Sequence, residues 1–287
     1  MNRRLLGIDH VLIGVSDLEA ARRQWGRLGF NSTPRGRHVG WGTANYCIMF
    51  EHDYLELLGI LDPAQFTNGL DRLLDEQGQG LLGLALASGD AAATAAAWRA
   101  AGLPAPEPQA LGRLLETDGG IDLQFRNAML DNESCGGLRL FACEHLTPEH
   151  LRRPGWLAHP NGAVRIVSCT VLAARPEALA EPLGRVFGTA ALTDTDRIWA
   201  VQTGQGVILL VPPEDAFLIH PALEIDEEAE ARGGPRLAVL TVAVRDLDAA
   251  KRFLELQEVP HKQVPGAGLA VAPEHACGVA LELVQDR

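Results

Sequence analysis

The stretch "GIDHVLIGVSDLEAARRQWGRLGF", Gly7 to Phe30, sets a short apolar run against an amphipathic one and carries a histidine, His10, near its start. "DHVLIGV" has the length of a strand. Ser16 and Glu19 form the S-x-x-E capping-box pattern, which predicts a helix beginning at Asp17. Leu18, Ala21, Trp25 and Leu28 recur at helical spacing and predict its buried face, with Gly29 as the stop. Two more apolar segments follow, "HVGWGTANYCIMF" from His38 and "DYLELLGIL" from Asp53, parted by a turn at Glu51 to Asp53. The unit reads as a strand, a helix and two or three strands.

The unit returns. "VLTVAVRDLDAAKRFLELQEVP" from Val239 aligns D-L-D-A-A-K-R with D-L-E-A-A-R-R, each straight after a strand, and "VALELVQ" from Val279 echoes "YLELLGI" from Tyr54. Weaker copies begin at Leu81, "LLGLALASGDAAATAAAWRAAGL", and at Val164, "VRIVSCTVLAARPEALAEPLGRVFG". A pattern returning at intervals marks a duplicated unit. The expectation is an α+β chain of four βαβββ modules: a module pair over 1–145, a linker over 146–163 and a second pair over 164–287. The polar, proline-bearing "CEHLTPEHLRRPGWLAHPNGA" supplies the connection, and an acidic loop from Glu224 to Pro235 joins the third and fourth modules as a solvated face.

The chain has 287 residues, 47% of them hydrophobic and 22% charged, and a formal net charge of -12. That balance suits a folded soluble protein and opposes nucleic-acid binding or charge-driven docking on an anionic membrane. Five scattered cysteines without a C-x-x-C pair argue against a disulfide framework or a structural zinc site. No signal-like or membrane-length apolar run is present, so a cytoplasmic location is expected.

The four modules, the histidine on the first strand and the glutamate on the last strand of module one resemble the vicinal oxygen chelate superfamily. "TPRGRHVGWGTANYCIMF" from Thr33, with "YLELL" from Tyr54 and the linker string "PEHLRRPGWLAHPNGA", looks more narrowly like its glyoxalase-like domain subgroup. The resemblance implies the glyoxalase/bleomycin resistance/dioxygenase fold, in which paired modules form cupped half-barrels and their first and last strands can supply metal ligands. His10 and Glu56 fall at those positions in module one. In module two "LLGLALA" has none, whereas "FACEH" offers Glu144 or His145, of which strand alternation admits one. Glu144 is favoured by its match to Glu56. In the second half only Glu282 remains, and one glutamate cannot hold a metal.

Imidazole and carboxylate oxygen suit a divalent ion such as zinc, iron, manganese or nickel. His38, beside the glycines of "GRHVGWG", reads as a rim-loop base or substrate contact. Trp41, Asn45, Tyr46 and Tyr54 are candidate substrate-binding residues. The remaining histidines are assigned to surface or packing, with His159 able to order the linker.

The leading expectation is a metal-dependent lyase or isomerase acting on a small vicinal-oxygen substrate. A metal-free drug- or metabolite-binding protein of the bleomycin-resistance type is the alternative, and an extradiol dioxygenase the second. The bland readings are a core histidine at His10 and a Glu56 paired with Arg35 or Arg37. The partner is a small molecule, and monomer and homodimer are both compatible.

Overall fold

A computed structural model describes residues 5–223, 234–264 and 268–287. Most of the acidic loop expected over Glu224 to Pro235 lies outside the described residues. Module one comprises β1 (Leu5–Gly14), α1 (Leu18–Arg27), β2 (Gly36–His38), β3 (Thr43–Met49) and β4 (Tyr54–Ile60). After α2 (Leu70–Gln77), module two runs through β5 (Gly80–Ser88), α3 (Ala91–Ala100), β6 (Gln109–Leu115), β7 (Ile121–Met129) and β8 (Leu140–His145). The third module has β9 (Ala163–Leu172), α4 (Ala180–Phe187), β10 (Leu192–Thr195), β11 (Ile198–Gln202) and β12 (Val207–Val211). A short α5 (Ala216–Ile219) precedes the fourth: β13 (Arg236–Val244), α6 (Leu247–Leu256), β14 (Lys262–Val264), β15 (Gly268–Val271) and β16 (Ala280–Gln285). No described helix is long and apolar enough to cross a membrane.

The module helices start where the repeat says, for a cause one residue along from the expected one. The cap of α1 is Asp17, not Ser16: Asp17 is extended, and its carboxylate accepts the backbone N–H of Ala20. Asp90 and Asp246 cap α3 and α6 in the same way. The aspartate of the D-L-E-A-A motif is thus the helix-starting residue of three modules. The apolar stripe of α1 buries Leu18, Ala21 and Trp25, as its spacing predicts.

Modules pair in sequence order. β1 lies antiparallel to β5 and β9 antiparallel to β13, while each module's last strand runs parallel to its first. The first eight strands close into a barrel, β1-β4-β3-β2-β6-β7-β8-β5. The other eight form an open sheet, β10-β11-β12-β9-β13-β16-β15-β14. Closure gives every barrel strand two neighbours and encloses the inward side chains, among them Leu12, Cys47, Tyr54, Phe125, Phe141 and Cys143. The connecting segment packs Leu151, Trp156 and Leu157 against this inner cluster. His159 ties that segment to module one, with Nδ1 accepting the N–H of Asn31 and Nε2 facing the carbonyl of Met49. All five cysteines are free and buried.

The halves share one core and dock through polar contacts. Asp53, 1% exposed in the β3–β4 hairpin, accepts the backbone N–H of Ile166 on β9 and faces the Gln205 side chain. Burial pushes its carboxyl up to about 7, against the opposing pull of the Ile166 hydrogen bond. A carboxyl raised in the folded state stabilises below its unfolded pKa and loses that contribution as pH climbs through the folded value. Asp53→Asn therefore removes a destabilisation at high pH. Chemical denaturation should find the variant and wild type close below about pH 4, and the variant more stable by roughly 2–4 kcal/mol at pH 8. Equal stabilities at pH 8 would refute a buried ionisable carboxyl at this junction.

Candidate active site

The site begins with a bulge. β1 pairs Ile8 with Leu86 and His10 with Ala85, so Asp9 is the extra residue on its strand. Strict alternation would turn Asp9 and His10 to opposite faces; the bulge lets both reach the barrel side. Ile8 donates its N–H to the carbonyl of Gln205, in the β11–β12 turn of the second half. Gly7, at φ 153°, permits that approach, because a Cβ there would lie 2.6 Å from Gln205.

His10 is consequently held at both ring nitrogens. Nδ1 donates to Asp9 at 2.7 Å, and Nε2 lies 3.3 Å from Glu56 Oε2. The ring stacks on Tyr54, with centroids 4.4 Å apart. Asp9 also receives His145 Nε2 at 2.9 Å. Burial by itself would lower the His10 pKa, but the hydrogen bonds to Asp9 and Glu56 outweigh it and raise it to about 9. The same contacts overcome desolvation on the acids, holding Glu56 down at about 2 and Asp9 well below the usual carboxylate range.

His38 behaves in the opposite way. It ends β2 rather than sitting in a flexible rim loop, because β2 is hydrogen-bonded between β3 and β6. Its Nδ1 lies 2.8 Å from Thr43 Oγ1, and its Nε2 is 3.4 Å from Asn45 Nδ2 and 3.7 Å from Glu56 Oε1. Burial, assisted by the nearby Arg113 and His10 charges, lowers it to about 4, so the ring is neutral at pH 7.

These groups border a cavity of about 150 Å³ lined by His10, His38, Thr43, Tyr54, Glu56 and Arg113 on its polar side. Leu12, Leu58, Phe125, Met129 and Phe141 supply apolar wall, and the exposed Phe66 and Gln109 mark where it opens. Trp41 meets Phe66 edge-on at the border. Segment 66–70, which leads into α2, contributes Phe66, Thr67, Asn68 and Leu70; sequence patterning did not anticipate this helix.

Tyr54, Glu56 and Leu58 share the cavity side as alternation predicts. Asn45 faces inward and donates to Glu56. Tyr46, its neighbour on β3, must face the other way: it packs in the helix-side core and its hydroxyl donates to Glu19, which removes it from the cavity. The same parity decides β8. Phe141 and Cys143 point inward, so His145 follows them, whereas Glu144 turns out to accept the N–H of Ala91 at the start of α3 and to pair with Arg126. Glu144 therefore lies apart from His10 and Glu56. Arg35 and Arg37 pair with Glu116, not with Glu56.

Three further residues escaped the sequence reading. Asp9 needed the bulge, and Arg113 on β6 sits in no motif. His220 is buried against Glu282 at 2.8 Å, with Thr170 at its other nitrogen. Register makes Glu282, opposite Thr241, the counterpart of Glu56, opposite Leu12. His220, delivered from the chain after α5, supplies the imidazole that β13 lacks.

A divalent ion fits part of this arrangement. His10 Nε2 and Glu56 Oε2 converge at a separation compatible with one shared ion, and Asp9 orients the imidazole from behind as an outer carboxylate does. Asp9, Cys143 and His145 also offer ligand atoms within 4.8 Å of one another. The equivalent strands of module two present Ala85 and Cys143 where module one presents His10 and Glu56.

The model of the glyoxalase-like domain matches residues 8–187, which span the whole barrel and reach the end of α4. The chain belongs to the glyoxalase-like domain family. Solved structures similar to this glyoxalase-like protein share its fold. A hypothetical protein from Staphylococcus aureus is similar over 97% of this chain and 99% of its own, with TM-score 0.69 and 10% identity. A variant of 4-hydroxymandelate synthase from Streptomyces coelicolor is similar over 98% and 93%, with TM-score 0.63 and 14% identity. Methylmalonyl-CoA epimerase from Mycobacterium tuberculosis aligns with 52% of the glyoxalase-like chain and 93% of its own, at TM-score 0.41 and 20% identity. No curated protein matches the sequence.

Asp9→Asn tests the hub of this network. In chelator-treated protein, a nuclear magnetic resonance titration of the histidine ring protons should find His10 titrating near pH 9 in wild type. The variant should fall by at least about one unit, because an amide cannot stabilise the imidazolium as a carboxylate does.

Proposed function

We propose that the barrel cavity is the active site of an isomerase or lyase that moves a proton on a small substrate with adjacent oxygens. The observation that carries this reading is a pair of imidazoles on one cavity with pKa values driven apart, His10 up to about 9 and His38 down to about 4. Such divergence assigns opposite roles to two titratable groups. His38 is the base: its Nδ1–H is engaged by Thr43, leaving Nε2 to accept a proton. His10 marks the electrophilic side, where negative charge developing on a substrate oxygen is stabilised.

His10 and Glu56 would hold a divalent cation, which when bound supplies Lewis-acid stabilisation of a substrate oxygen. Asp9 keeps the His10 ring fixed with Nε2 toward the cavity. Asn45 holds Glu56 in place, and the apolar wall lowers the local dielectric, which strengthens each of these charges.

A second reading is a metal-free small-molecule binder, favoured by Ala85, which offers no donor at the position where module one presents His10. Elemental mass spectrometry separates the two. The enzyme reading expects about one divalent metal per chain, lost in His10→Ala and Glu56→Ala and kept in His38→Gln. It also expects His38→Gln to slow solvent-deuterium exchange into dicarbonyl or hydroxy-carbonyl substrates by roughly 10²–10⁴. Full metal retention in both ligand variants would sink the assignment, and no metal uptake at all would favour the binder.

A further inference from the structure

Among the described residues, two arginines that line the cavity have no ion pair of their own. Arg113 is 3% exposed, and its guanidinium lies 5.1 Å above the Phe125 ring with Nη1 directed to Cys47 Sγ at 3.1 Å. Its Nε and Nη2 have no hydrogen-bond partner. A guanidinium in this setting is expensive to bury, and orphaned donors on it compound the cost. Gly36 makes room for it, since a Cβ there would come within 2.8 Å of Arg113 Cδ. Arg139 lines the same cavity, half-buried, and among the described residues no hydrogen bond or ion pair engages its guanidinium. The one carboxylate on the cavity wall, Glu56, is already claimed by His10 and Asn45.

We infer that the cavity takes a carboxylate with a compact apolar body, its anionic end on Arg113 and Arg139 and its body against Leu12, Phe125 and Phe141. This deepens the proposed function and rests on the cup being a substrate site. Guanidinium groups match carboxylate oxygens in a planar fork, which an ammonium cannot reproduce. The apolar part of the wall, Leu12, Leu58, Phe125, Met129 and Phe141, gives a bare inorganic anion nothing to pair with. A volume of about 150 Å³ is the size at which an apolar cavity accepts benzene, so a single ring or a branched chain fits.

Isothermal titration of the full chain with phenylacetate, its neutral isostere phenylacetamide and inorganic phosphate tests the assignment. Phenylacetate should bind, and phenylacetamide at least about tenfold more weakly, the worth of a charge-assisted pair. Arg113→Gln should abolish that preference, Arg113→Lys restore part of it, and Arg139→Gln reduce it several-fold in a variant whose half-buried position protects the fold. Equal affinity for the acid and the amide, phosphate binding in preference to both, or binding of none of the three overturns the proposal. Metal content and His38→Gln exchange are measured with both arginines in place, so they judge the proposed function separately.

Discussion

A buried carboxylate shared by two imidazoles is the interaction around which the barrel is arranged. Asp9 has given up water almost completely, and among the described residues the ring N–H groups of His10 and His145 compensate it. Removing one partner of such a group typically costs 3–5 kcal/mol, because the remaining charge stays buried. His10 in turn cannot lose its proton freely while both Asp9 and Glu56 face it, and Glu56 is further tied to Asn45 and thence to His38. Each group's protonation state is therefore set by its neighbour along a path that begins at a one-residue bulge. Barrel closure makes this possible, because every strand is hydrogen-bonded on both sides and the interior side chains have no alternative face to seek.

The two halves show how one module plan diverges in chemistry without diverging in fold. Glu56 and Glu282 occupy equivalent register positions, yet the first opens on a cavity while the second is covered by His220. In the first half the imidazole comes from the adjacent strand and leaves the carboxylate accessible. In the second it comes from outside the sheet and fills the space a ligand would need. The open second sheet has instead become a support. Its β11–β12 turn takes the Ile8 N–H that β1 needs satisfied, and β9 engages Asp53.

What the sequence made legible follows from period and parity. The repeat, the helix faces and the inward set Tyr54, Glu56 and Leu58 obey simple alternation, so they could be read from spacing. Tyr46 and Glu144 were misplaced for the same reason that Asn45 and His145 were found. Adjacent strand residues cannot both face inward, and choosing between them needs the register of a partner strand. Asp9 violated parity through a bulge that nothing in "GIDHVL" announces, since the carbonyl that accepts the neighbouring Ile8 N–H belongs to Gln205, nearly two hundred residues away. Arg113 lies in a stretch with no motif, and only three-dimensional burial reveals that its charge is unanswered.

The position of His10 Nε2 makes a proton and a metal ion competitors for one site. With Asp9 fixed on Nδ1, the lone pair or the proton at Nε2 faces Glu56 and the cavity, so a cation of either kind neutralises that carboxylate. Two adjacent carboxylates draw a proton onto the ring as effectively as they would draw a divalent ion to it. Loading a metal must therefore release the Nε2 proton, and metal affinity should weaken as pH falls below the His10 titration. On the proposed reading, His38 as base, the wall arginines and the apolar lining of the cup would serve the ligand whichever cation is present. A site of that kind would be specialised first in how it orients its ligand.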